Sequence, residues 1–192
     1  LEIAKPSFKI ALAVATIFSL AQLFAGDKSA KGVAKDQPAK LAAMEAHYDT
    51  GAVADMYVMG WVDNSKQKVT GLKIPGGLTF LLHGNLTTPV TGLQAFKANE
   101  RPGQVNAVFQ FYHLMIAIGT VVIILTLYAS WQWKKGKLFN NRWLMVVFAW
   151  AVFLPQIANQ AGWFTAEMGR PPWLVYGLLK TSDALSKAVS AH

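Results

Sequence analysis

Three short stretches hold side chains whose types and spacing could do chemistry. The first, GWFTAEMGRPPW, begins at Gly162. Trp163 and Glu167 are four residues apart and share one helical face, with Arg170 one turn further on. Such a Glu can be a helix-end carboxylate paired with Arg170 at an aromatic belt. It can also be a buried metal or proton site, because ionisable groups inside membranes are costly and usually functional. The second stretch, FQFYHLM from Phe109, puts His113 and Met115 among aromatic rings. Imidazole and thioether are both axial donors to haem iron, and a Met ligand raises the potential; both are also ordinary packing or interfacial groups. The third, QPAKLAAME from Gln37, sets Lys40 and Glu45 five apart on a short helix. On an exposed helix this is a solvated charge pattern. The alternative is a site for a hydroxylated ring, where a carboxylate takes a proton as the substrate is oxidised.

The elements that must carry these residues follow from composition. The chain has 192 residues, of which 53% are hydrophobic and 15% charged, with seven Trp, no Cys and a net charge of +8. Soluble domains carry about 25% charged residues, and here the deficit is local. No Asp, Glu, Lys or Arg occurs from Pro102 to Trp133 or from Trp143 to Ala166. A helix crosses ~30 Å of hydrocarbon with about 20 apolar residues, so both stretches read as spans. Without Cys, a disulfide scaffold and a Cys-ligated zinc or iron–sulfur site are excluded, and the hydrophobicity excludes disorder. The basic residues are scattered around the apolar segments, which points to membrane flanks and not to nucleic acid.

The predicted fold class is an all-α integral membrane protein, with about three transmembrane helices and a long outer-side loop containing short helices. Span A occupies residues 1–26, its uncharged core running from Ile10 to Gly26. The loop, 27–103, holds most of the Gly and Pro and a short helix over Ala39–Tyr48 with Pro38 just inside its start. Its Gly- and Pro-rich part from Ile74 to Phe96 reads as a folded surface loop, since lipid could not satisfy its backbone. Residues 104–164 hold span B (Val105–Trp131) and span C (Trp143–Phe164), joined by the loop 132–142, which Lys134, Lys135, Lys137 and Arg142 place in the cytoplasm. That orientation sets Met115 and Glu167 at similar depth on the outer side. Residues 165–192 form a terminal segment. The start at Leu1 suggests a processed, trimmed or fragmentary chain, and no signal-peptide cleavage pattern follows the first apolar run.

Together the three motifs resemble subunit I of the cytochrome bd quinol oxidase family. GWFTAEMGRPPW resembles that family's GWxxxExGRQPW, QPAKLAAME its quinol-loop motif, and FYHLM its haem-ligating Met segment, in the family's order and across essentially the whole chain. The resemblance implies a quinol:oxygen oxidoreductase of a bacterial or archaeal cell membrane, carrying a low-spin haem b, a high-spin haem b and haem d. Met115 then corresponds to the axial ligand of the low-spin haem b, and Glu167 to the carboxylate on the high-spin haem b or haem d. Trp163 corresponds to the aromatic residue between haems, Arg170 to the motif's Arg near propionates, and Lys40 and Glu45 to the residues of quinol oxidation. His113 falls where some members have Arg, and is expected to tune the low-spin haem without ligating iron.

Departures from the pattern matter as well. The motif's Gln is Pro171 here, which removes a backbone donor and a side-chain amide. The family's N-terminal spans with two His ligands, and a last span after Ala188, are not found; His47 and His83 lie in the loop and His192 is terminal. The implied partners are therefore a chain carrying those first spans, subunit II, small single-span subunits and membrane lipid. Either the subunit is naturally split or the sequence is a fragment. A divergent haem- and quinol-binding subunit that does not reduce oxygen is the alternative, and a cofactor-free structural membrane subunit is a third.

Overall fold

Three helical segments are long and apolar enough to cross a membrane in the computed structural model, which describes residues 2–51 and 53–184. The terminal part of the 165–192 segment, with His192 and the expectation of a span after Ala188, lies outside the described residues. The chain divides into two compact units, one of residues 1–28 and 114–161, the other of residues 29–113 and 162–192.

Helix α1 (Ala4–Asp36) runs ten residues past the predicted end of span A. The sequence after Gly26 keeps helix formers and no Pro until Pro38, and the residue before a proline is biased out of the helical region. Gln37 takes that break, at φ −141° and ψ 62°. Helix α2 (Pro38–Met44) then begins with Pro at its first turn, where the missing N–H is no loss. It stops earlier than expected because Ala46 adopts φ 46°.

The long loop is not purely helical. Strands β1 (Met56–Asp63) and β2 (Lys68–Ile74) form an antiparallel hairpin in which Trp61 faces Thr70 and Val62 faces Val69. Asp63 closes the turn, its Oδ1 accepting from the backbone N–H of Ser65 (3.0 Å) and Lys66 (3.1 Å). Helix α3 (Gly77–His83) follows, within the stretch read as a folded surface loop. Leu78 packs with Ala54 and Val90, and the fully buried Thr79 hydroxyl accepts from Ala54 N–H at 2.7 Å. Thr79→Val keeps the volume and strands that N–H, so the loop should lose about 1–3 kcal/mol. Amide exchange across residues 50–90 in the assembled protein should quicken accordingly, and unchanged exchange would show the bond to be dispensable.

Helix α4 (Val105–Lys134) carries span B three residues further than predicted. Its first turns hold the hairpin by a polar ladder at positions i, i+4 and i+7. Asn106 Oδ1 accepts from Val62 N–H (3.3 Å), Gln110 Nε2 donates to Gly60 carbonyl (2.8 Å), and His113 Nε2 to Tyr57 carbonyl (2.7 Å). These three side chains satisfy backbone groups of a two-stranded sheet that has no other partner strand among the described residues.

In the membrane-helix unit, Leu12, Ala129, Leu138 and Leu144 form a buried cluster against Phe8, Leu125, Phe139, Met145 and Phe148. Hydroxyl pairs Thr16–Ser130 (3.0 Å) and Ser19–Thr126 (3.3 Å) join α1 to α4, as small polar residues do between membrane helices. Span C is broken into α5 (Arg142–Ala151), capped by Asn141, and α6 (Leu154–Met168). Pro155 lacks the N–H that would bond the Ala151 carbonyl four residues back, which accounts for the break. Short strands β3 (Trp173–Val175) and β4 (Leu179–Lys180) pair beyond α6.

Candidate functional site

Glu45 sits at the C-terminal end of α2, on a helix whose Ala39, Leu41, Ala42, Ala43 and Met44 are all buried. The carboxyl is therefore carried inward. It is 2% exposed, against the exposed helix that its spacing from Lys40 would allow. The Tyr112 side chain hydrogen-bonds it, while Oε2 is buried without a hydrogen-bond partner among the described residues. Burial pushes the carboxyl up to about 7, the Tyr112 hydrogen bond pulling in the other direction. A group titrating there can both take and release a proton under physiological conditions.

Glu45 forms part of the wall of an open cavity of about 280 Å³, together with His47, Tyr48, Asp49, Tyr57 and Lys68. That volume lies near the lower end of the ~300–1,000 Å³ range of small-molecule sites. His47 is half-buried, and its Nε2 donates to the Val90 carbonyl at 3.3 Å. Burial holds the ring below the ordinary histidine value, opposed by the Val90 bond and by Asp49 and Asp55.

Lys40 lies elsewhere. It borders a small cleft of about 30 Å³ with Glu100, Arg170, Pro171, Trp173 and Tyr176, and this cleft shares no wall residue with the Glu45 cavity. On a helix, five residues correspond to a rotation of about 140°, so Lys40 and Glu45 point to different faces. Burial, and then the Arg170 guanidinium, lower Lys40, while Glu167 raises it. Gly169 permits the close approach: a Cβ there would lie 2.8 Å from the Thr165 carbonyl and 3.3 Å from Lys40 Cγ. Arg170 pairs with Glu167 across one helical turn, their side chains 36% and 44% exposed. Pairs that exposed contribute little to stability. Trp163 is exposed and packs edge-on against Phe164, which stacks on Phe111 at 5.0 Å.

The two nitrogens of His113 both face carbonyls, Phe109 at 2.8 Å and Tyr57 at 2.7 Å, and its ring stacks on Phe109 at 3.9 Å. The Nε2 hydrogen bond to Tyr57 makes His113 a brace between α4 and β1. Met115, half-buried, follows two residues later on the same helix. The structure thus brings together Lys40, Glu167 and Arg170 of the seven predicted residues, and sets Glu45 in a separate cavity. Sequence reasoning missed the cavity partners His47 and Tyr57. Tyr57 belongs to the overlooked hairpin, whose signal was the β-branched and aromatic run MYVMGWVD ending in Asp63 and Asn64.

The whole chain, residues 1–192, matches the family described as Cytochrome bd terminal oxidase subunit I. The chain belongs to that family. Cytochrome bd ubiquinol oxidase subunit 1 of Bacillus subtilis (strain 168) is 29% identical over 197 residues, covering 97% of this chain and 42% of its own length. Cytochrome bd-II ubiquinol oxidase subunit 1 of Escherichia coli (strain K12) is 28% identical over 251 residues, covering 96% of this chain and 49% of its own. Among solved structures, the bd oxidase from Geobacillus thermodenitrificans superposes with a TM-score of 0.81 at 30% identity, over 95% of this chain and 42% of that one. The chain therefore spans less than half the length of these cytochrome bd relatives. The helical membrane fold expected from the sequence is the fold of this family.

Proposed function

We propose that this chain supplies the quinol-oxidising loop and two haem-iron ligands of a bacterial membrane quinol:oxygen oxidoreductase. The observation that carries the reading is Glu45, a buried carboxyl with one oxygen unpartnered among the described residues, bordering a cavity of about 280 Å³. A buried carboxyl is a costly feature, and one raised to about 7 is poised as a proton acceptor.

The residues present fit haem. Among the described residues no three His, Cys, Asp or Glu gather as they must for a bare ion. Porphyrin iron needs only axial donors. Met115 offers a half-buried thioether for a low-spin haem b, and Glu167 a partly exposed carboxylate for a high-spin haem b or haem d. When bound, the haems accept the quinol's electrons and deliver them to oxygen.

This chain's own side chains do the rest. In the proposed reaction Glu45 takes a proton from a quinol hydroxyl, and α2, buried along its length, keeps the carboxyl from turning out to water. Lys40 lies with Arg170 beside Glu167, where its charge helps balance that carboxylate; the structure does not bring it to the Glu45 cavity. Trp163 offers an exposed ring for stacking on a flat macrocycle. His113 holds the cavity strand β1 against α4 through Tyr57. The remaining haem ligands come from the rest of subunit I, in an assembly that includes subunit II and small single-span subunits.

The test is oxygen consumption driven by a short-chain ubiquinol on the purified assembly, read with its reduced-minus-oxidised spectrum. The expected result is quinol-dependent oxygen uptake with the bands of low-spin haem b and haem d. Haem bands with quinol oxidation but no oxygen uptake would replace this reading by an electron-transfer subunit, the alternative that Pro171 raises. A spectrum without haem bands would overturn it.

A further inference from the structure

Oxidising a quinol to a quinone breaks two O–H bonds, and Glu45 accounts for one of the two protons. The second hydroxyl needs its own acceptor. His47 lies on the wall of the same cavity, two residues from Glu45, and is half-buried. Its Nε2 hydrogen is committed to the Val90 carbonyl at 3.3 Å, which leaves the lone pair of the neutral ring on Nδ1. Two carboxylates stand on the same wall. Asp49 is exposed, and Asp55 is kept anionic by Lys73 Nζ at 2.6 Å and by the Gly76 N–H at 3.1 Å. The other titratable groups facing the cavity are Tyr48, Tyr57 of β1 and Lys68 of β2.

We propose that His47 is the second proton acceptor of the cavity: one quinol proton goes to the Glu45 carboxylate and the other to His47 Nδ1, and both then leave for the solution to which the cavity is open. The two electrons leave for oxidised haem iron, which is the oxidant. This rests on the reading of the Glu45 cavity as the quinol site. The electrostatics support it. Burial keeps the ring neutral near pH 7 and ready to accept, and both aspartates favour the imidazolium once it forms.

His47→Gln in the complete assembly is the test, because a Gln amide N–H can still donate to the Val90 carbonyl but cannot accept a proton. Turnover with a short-chain ubiquinol should fall about 100-fold with KM within about twofold of the parent. The haem spectrum and the oxidation of ascorbate-reduced tetramethyl-p-phenylenediamine, which needs no proton acceptor of this kind, should be unchanged. Single-turnover proton release, followed with an impermeant pH dye, should slow to match. Quinol turnover within twofold of the parent would overturn the proposal. An equal loss with both donors, or a lost haem band, would overturn it too by showing a structural role. Glu45→Gln, run beside it, separates the two readings. If that variant alone loses quinol turnover, the cavity stands and His47 does not; if neither loses it, the cavity is not the quinol site.

Discussion

Met115→Leu is expected to remove the low-spin haem band from the reduced-minus-oxidised spectrum and to lower quinol-driven oxygen uptake by about 100-fold or more. Outer-shell partners of a bound metal already cost 10–100-fold in affinity or activity when removed, and the direct ligand should cost no less. Leucine nearly conserves the volume of methionine, a change that costs under about 1.5 kcal/mol even in a core. Met115 is only half-buried in a 30-residue helix, so α4 should persist and the subunit should assemble. The measurement is the spectrum of the purified assembly, normalised to protein, beside the yield of co-purifying subunits. An unaltered low-spin band would assign the thioether to packing and end the proposal that it ligates iron.

Glu45→Gln should abolish most quinol oxidation, about 100-fold in turnover, while leaving oxidation of ascorbate-reduced tetramethyl-p-phenylenediamine intact. Gln keeps the shape and can still hydrogen-bond Tyr112, but it cannot take a proton. The pH dependence has a definite sign. The group's ordinary value of 4.5 is raised to about 7, and only the ionised carboxylate accepts. Turnover limited by this step should therefore climb as pH rises through about 7 and fall below it, and that limb should vanish in the variant.

Stability runs the other way. In the unfolded chain Glu45 ionises near 4.5, whereas the folded protein holds the proton until about 7, so the residue weakens the fold as pH rises across that window. Above pH 7 the Gln variant should then melt no lower than the parent. A variant that loses both donors' activity and melts early would mark Glu45 as structural.

The three spans were legible because the membrane is read through local composition. Uncharged runs from Pro102 to Trp133 and from Trp143 to Ala166 admit no other element of that length. Pro38 at the start of α2 was equally local, since a fixed φ and a missing N–H have the same consequence in any fold. The loop hairpin was less legible. Its alternation is interrupted by Gly60 and Gly71, which face each other across the strands because a Cβ on Gly71 would meet the Met59 carbonyl at 2.1 Å. Pro155 was visible as well, but whether it kinks or breaks a span depends on what surrounds it.

By itself the sequence determined the membrane helices, their order, and which side chains are chemically able to ligate iron or move a proton. Residue type and spacing along a helix suffice for that. Only the tertiary structure decided that Glu45 is buried beside His47 and Tyr57 while Lys40 joins Glu167 and Arg170. The reason is physical: desolvation and charge partners belong to the space around a side chain. That space is filled by β1, α4 and the turn after α6, segments far apart in the chain, and no local pattern records which of them will meet.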